Sequence, residues 1–184
     1  ITLKKATNSY PQEIAGEPKV ACNADINGLL NYTTVIDYAA ANNKELENFY
    51  PAFKAVKDYV VQAPEKTTGW YLPSIGQWYD FTANLGGLPS WDDAINEGND
   101  LTPNLYRWSN QTELVSKINA YFEPLGTGNY DAIPNGSYQK FFSSSTYSDS
   151  GIWTWFVGKQ ANVVQCWHNV RYNSDSAVRP ILAF

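Results

Sequence analysis

Apolar residues in this chain keep one period up to about residue 124 and another after it, and this change constrains the fold most. In the first stretch they recur every three to four positions, the spacing that gathers side chains on one face of a helix. Phe53, Val56, Tyr59 and Val60 form one such face. Ile75, Trp78, Tyr79, Phe81 and Leu85 form a second, and Leu114, Val115, Ile118, Tyr121 and Phe122 a third. Beyond a glycine-rich loop from Gly126 to Gly136, Trp153, Trp155 and Val157 alternate with Ile152, Thr154 and Phe156. Period two is that of a half-buried strand, with successive side chains on opposite faces. A second ring-bearing strand is expected around Val163 to Tyr172, and Val178–Phe184 ends the chain. Helices first and strands last predict an α+β domain with an antiparallel sheet. No repeat or low-complexity linker divides the 184 residues, so one domain is expected, long enough to bury about 70% of its unfolded surface.

Punctuation sets the boundaries. Residues 1 to about 30 mix Pro11, Gly16, Pro18 and Gly28 with short apolar pieces and read as an extended lead-in with one strand. Thr34 to Val61 reads as helical, broken at Pro51, which lacks an amide proton and clashes with the preceding turn. Ser74 and Gln77 form a capping box at the next helix start, and Gly86-Gly87 stops that helix. Trp91 to Trp108 reads as a loop. A further helix is expected from Asn110, with Glu113 as its box partner.

Composition removes several functions. Net charge is -5 and the pI is near 4.8, which argues against nucleic acid, whose phosphates require clustered Lys and Arg. No apolar run approaches the roughly 20 residues that span a bilayer, and Ile1–Lys5 holds no signal-peptide core. The sole histidine, His168, is the only base a Ser-His-Asp triad could use, and no G-x-S-x-G elbow accompanies it. Walker, H-E-x-x-H and C-x-x-C motifs are absent. In the acidic run Asp92, Asp93, Glu97, Asp100, a calcium loop would place Ile95 at a ligand position. The run therefore reads as a solvated loop or a short helix capped by Ser90. No carboxylate pair stands out for glycoside hydrolysis. Arg107 and Arg179 read as structural charge partners, and Trp70, Trp78, Trp91 and Trp108 as core. No cofactor and no metal are expected. Cys22 and Cys166 could form one disulfide in an oxidising compartment.

Three segments carry a resemblance. Gly69-Trp70-Tyr71-Leu72-Pro73-Ser74 with Gln77-Trp78 resembles the G-x-R-L-P-T-x-x-E-W element of the formylglycine-generating-enzyme branch of the C-type-lectin-like superfamily. Phe142-Ser143-Ser144-Ser145-Thr146 followed by Trp153 is similar to the W-S-S-T…W element of its bacterial surface-protein members. Val178-Arg179-Pro180-Ile181-Leu182-Ala183-Phe184 is similar to their V-R-P-V-x-A-F ending. The matches run from about residue 52 to 184, leaving residues 1–50 as an extension outside the resemblance. The resemblance implies a C-type-lectin-like fold, two to three helices on twisted antiparallel sheets. It also implies an extracellular place, on a bacterial surface, in a fimbrillin-type protein or on a phage particle. In some relatives the last 40 or so residues are rewritten by diversity-generating retroelements, which here would place variation between Ser144 and Val178. The formylglycine-generating enzymes hold copper with closely placed cysteines. Here Cys22 lies outside the resemblance and Cys166 has no thiol near it, so that site is not expected. The E-P-N and W-N-D signatures of calcium lectins are missing as well.

A ligand face is expected at the C-terminal strands and loops. With Trp153, Trp155 and Val157 turned to the core, Thr154 and Phe156 should face outward, Phe156 as an exposed ring. Trp167, His168, Asn169, Arg171, Tyr172, Asn173 and Asp175 concentrate rings and amides that one strand cannot bury unpaired. Such a mixture is the chemistry of a paratope, in which rigid rings supply area and amides supply adaptable hydrogen bonds. Tyr147 and Asp149, after the serine run, extend the same face. The expected role is non-enzymatic recognition of a surface protein or a glycan, in cell adhesion for example, without nucleic acid or membrane insertion. The oligomeric state stays open. The alternatives are an oxidase of the formylglycine-generating type and a structural pilus subunit polymerising through its first 30 residues.

Overall fold

The computed structural model describes residues 22–98, 105–126, 131–135, 138–148, 151–158, 162–170 and 176–184. Five helices are described: α1 (Gly28–Ala41), α2 (Leu46–Phe49), α3 (Pro51–Lys57), α4 (Ile75–Gly86) and α5 (Gln111–Phe122). The strands are β1 (Ile95–Asn96), β2 (Tyr106–Ser109), β3 (Gln139–Ser148), β4 (Gly151–Gly158), β5 (Val163–Val170) and β6 (Ser176–Ala177). They make one sheet in the order β1-β2-β5-β4-β3-β6. The class is α+β, as the change of period predicts.

Several boundaries follow the local signals. Pro51 sits in the first turn of α3, where its missing N–H is no loss. Ser74 and Gln77 close the capping box on α4, and Gly87 ends that helix in the left-handed conformation at φ 70°. Four expectations need correction. The first helix starts at Gly28 rather than Thr34, and α3 stops at Lys57, so Tyr59 and Val60 lie beyond it. The stretch 91–108 is not all loop: a short 3₁₀ turn at Trp91–Asp93 leads into the β1–β2 hairpin. β6 runs parallel to β3, pairing Ser176 with Lys140, so the sheet is mixed rather than wholly antiparallel. Glu113 does not return to cap α5, because Asn110 is left-handed (φ 73°) and Glu113 pairs with Lys117 at 2.7 Å. The exposed Thr112 N–H is taken instead by Asn162 Oδ1 at 2.8 Å, across from the start of β5.

Both faces of the sheet are covered. On one side, α4 and α5 pack Ile75, Trp78, Leu114, Val115 and Ile118 against Phe141, Trp153, Trp155, Val164 and Cys166. On the other, α1 and α3 pack Val35, Ala39, Ala52, Phe53 and Val56 against Phe142 and Ile152. Residues 28–57 therefore belong to the same packed body as the motif-bearing region. Close approach makes this possible: Gly76 N–H donates to Asp25 O at 2.9 Å, and a Cβ at Gly76 would lie 2.4 Å from that oxygen. The Asp25 carboxylate, buried beside it, accepts from Asn27 N and Asn31 Nδ2.

The double covering corrects the expectation for β4. Phe156 is 5% exposed and Thr154 fully buried, so neither is presented to solvent. Thr154 Oγ1 donates to Trp167 O, and Phe156 lies against Tyr138 with the Lys140 ammonium 5.6 Å from its ring. A two-residue period separates the faces of a strand but carries no information on whether the second face meets water or another layer.

Candidate functional site

The three motif segments meet in space around Pro73. Pro73 O accepts from Ser144 N at 2.8 Å, and Ser145 Oγ accepts the first N–H of α4, from Ile75, at 2.9 Å. Tyr71 and Ile181 exchange backbone hydrogen bonds at 2.9 and 3.0 Å, joining the C-terminal segment to the strand-like piece before α4. Asn31 Nδ2 reaches Ser144 Oγ from α1. The serine run is thus internal scaffolding: buried hydroxyls that satisfy a helix end and a neighbouring amide.

That scaffold fixes the end of the sheet where β3 stops, β4 starts and β5 stops. Ser148 pairs with Gly151, and Gly151 with Val170. Here the Tyr147 ring lies parallel to His168, with centroids 4.6 Å apart and planes 15° apart. Trp167 continues the row at 5.9 Å and 13° from His168. The row is anchored inward by an edge contact of 4.8 Å between Tyr147 and the buried Trp153. Gly151 leaves room for it, since a Cβ there would come within 3.0 Å of Tyr147 Cδ1. Tyr147, Trp167, His168 and Asn169 are all half-buried.

Electrostatically the row is neutral near pH 7. Burial lowers the His168 pKa and raises that of Tyr147, disfavouring the charged form of each. His168 makes no hydrogen bond among the described residues, to a hydroxyl or to a carboxylate. Flat, uncharged, partly exposed rings can stack on the apolar face of a sugar or on the side chains of a protein partner.

Of the expected ligand residues, the fold brings together Tyr147, Trp167 and His168, leaves Asn169 next to His168 along β5, and withdraws Thr154 and Phe156. Asp149, Arg171, Tyr172, Asn173 and Asp175 lie outside the described residues. Two members of the acidic run have structural tasks, and Asp100 lies outside the described residues. Asp93 accepts from Ser90 N and Oγ, and Glu97 pairs with Arg107 at 2.8 Å. Among the described residues no three of His, Cys, Asp and Glu gather as a metal site, and no helix is long and apolar enough to cross a membrane.

Two expectations about chemistry change. Cys166 does have a neighbouring thiol: Cys22, distant in sequence, hydrogen-bonds to it, and both are buried thiols not joined in a disulfide. Burial and that contact hold the Cys166 proton well above the ordinary thiol pKa. Arg179 is not paired to a carboxylate among the described residues; its Nη2 donates to the backbone oxygen of Asp131. Of the tryptophans read as core, Trp78 and Trp108 are buried, whereas Trp70 and Trp91 are half-buried. Arg179 and Trp70 open on a cleft that periodicity did not reveal. The available signal was the ring density near Trp70 and Trp78.

These features define an α+β protein with one mixed sheet, helices on both faces, and a row of neutral rings at one sheet end. No family model, curated protein or solved structure matches the chain.

Proposed function

We propose that this chain is a non-enzymatic recognition domain on a C-type-lectin-like scaffold, from a bacterial or phage surface protein. It binds its ligand at the sheet end formed by β3, β4 and β5. The observation that carries this reading is the parallel row Tyr147–His168–Trp167: half-exposed, uncharged, and held by Trp153 and Gly151. The convergence of the three motif segments around Pro73 supports the family resemblance. A surface glycan suits neutral flat rings best, and a protein partner is the alternative ligand. Encoding beside a diversity-generating retroelement fits this reading, because Tyr147, Trp167 and His168 fall between Ser144 and Val178.

Among the described residues, the thiol pair is the feature that favours an oxidase of the formylglycine-generating type. Side-by-side thiols are a fit for soft copper in ligand type. They do not fit in setting: both are fully buried, and the Cys166 proton is held in place rather than released.

The test is a glycan array probed with the folded domain and with a Tyr147→Ala/Trp167→Ala double variant. The parent should give ring-dependent hits that weaken about tenfold or more in the variant. The thermal midpoint should fall less than in Trp155→Ala, which removes a fully buried ring. A silent array with ring-dependent capture of a purified surface protein would move the ligand class to protein. Capture indifferent to these rings would overturn the site.

A further inference from the structure

A cleft of about 410 Å³ opens between α4, the segment Val178–Ile181 and the 3₁₀ turn Glu123–Leu125 that follows α5, a size in the range of small-molecule sites. It shares no lining residue with the ring row. Its walls are rings, chiefly Trp70, Trp78, Phe81 and Phe122. Most polar groups on those walls are already engaged. Trp70 Nε1 donates to Val61 O at 2.7 Å and Trp78 Nε1 to Phe142 O at 3.0 Å. Gln77 Oε1 accepts from Ser74 N and its Nε2 donates to Tyr71 Oη.

Arg179 is the exception. Its Cζ lies 5.9 Å from the ring centroids of both Phe122 and Phe141, so two aromatic rings flank the guanidinium. A guanidinium has five donors in a rigid fork. One is used on Asp131 O, and none makes an ion pair among the described residues. The Asp131 carboxylate acts on Arg179 through space without closing a salt bridge, and burial works against the charge. A half-buried cation among rings, with donors to spare among the described residues, calls for an anion that brings its own apolar surface.

We propose that this cleft is a second binding site, for a small monocarboxylic acid with an aromatic or branched apolar body. The carboxylate meets the Arg179 fork in the bidentate geometry that Arg favours, and the body lies on the rings. Asp131 selects against a second negative charge, so a phosphate monoester is a poorer fit than a carboxylate.

The test uses 3-phenylpropionate, with 3-phenylpropionamide as its neutral isostere, followed through the indole N–H resonances of Trp70 and Trp78 in nitrogen-labelled protein. The acid should shift both signals saturably and bind at least about tenfold more tightly than the amide. Arg179→Gln should erase that preference. Because Arg179 also holds Asp131, that variant could unfold. Leu125→Trp, at an exposed rim position, keeps the cation and should block the cleft by bulk. Equal binding of acid and amide would overturn the proposal, as would unchanged binding in Leu125→Trp. So would silence of both signals up to about 10 mM of 3-phenylpropionate and of 4-methylpentanoate. Glycan capture by the ring row should be unaffected in Leu125→Trp, so failure at one site is separable from failure at the other.

Discussion

Replacing Gly76 by Ala sets two physical effects against each other, and the structure decides which wins. Gly76 lies in the first turn of α4, where intrinsic propensity favours Ala over Gly by about 1 kcal/mol. The new methyl would sit 2.4 Å from Asp25 O, 3.0 Å from Asp25 C and 3.1 Å from Ile26 Cγ2. The nearest two atoms are backbone, so relief requires moving the chain that leads into α1, not turning a rotamer. Overpacking of this kind costs about 1–3 kcal/mol, and a backbone contact belongs at the upper end. The displacement also breaks the Gly76 N–H bond to Asp25 O, about 1 kcal/mol more. The net expectation is a loss of about 3 kcal/mol, or roughly 6–12 °C in thermal midpoint for a chain of this size. Urea unfolding followed by tryptophan fluorescence, with a parallel thermal melt, measures it. A variant as stable as the parent, or more stable, would refute the claim that α1 docks against the start of α4 through this contact.

Two further predictions address the sheet and its ring row. Ser145→Ala leaves the first N–H of α4 buried without its acceptor and should destabilise by about 1–3 kcal/mol in the same urea assay. A change under about 0.5 kcal/mol, the range of neutral surface substitutions, would remove the serine run from the scaffold. Burial holds His168 below its ordinary pKa, so on acidification the unfolded chain takes up this proton first. The stability contributed by neutral His168 is whole above about pH 6.5 and is lost as pH falls from there through the lower folded value. The urea midpoint of the parent should drop more between pH 7 and pH 5 than that of His168→Gln. Equal drops would show that His168 is not desolvated.

Much of the scaffold was legible because it is built from local rules. Ser74 and Gln77 lie three residues apart and cap α4 with no help from elsewhere. Pro51 and Gly87 act through their own backbone restrictions. The β1–β2 hairpin was illegible for the opposite reason. Its two-residue first strand is too short for a period to register, and Ile95 and Asn96 take their geometry from Arg107 and Tyr106 across the ladder.

The candidate site divides along the same line. Tyr147, Trp167 and His168 could be singled out by residue type, since rings and one imidazole crowd into the last two strands. Their parallel stacking depends on the β3–β4–β5 register, which brings Ser148, Gly151 and Val170 to one sheet end. Thr154 and Phe156 read as outward-facing from the alternation because a strand's own sequence cannot show what packs on its far face. That face is closed in part by α1 and α3, from a region with no motif.

Sequence by itself determined that the first part of the chain is helical, where α4 begins and stops, and that rings rather than charges dominate the later strands. Those properties depend on neighbours within about four positions along the chain. Only the tertiary structure decided that Cys22 meets Cys166, that Arg179 stands among rings with no carboxylate partner among the described residues, and that both sheet faces are covered. Each of these joins residues far apart in the chain, and long-range burial is set by how layers pack, not by the spacing within any one of them.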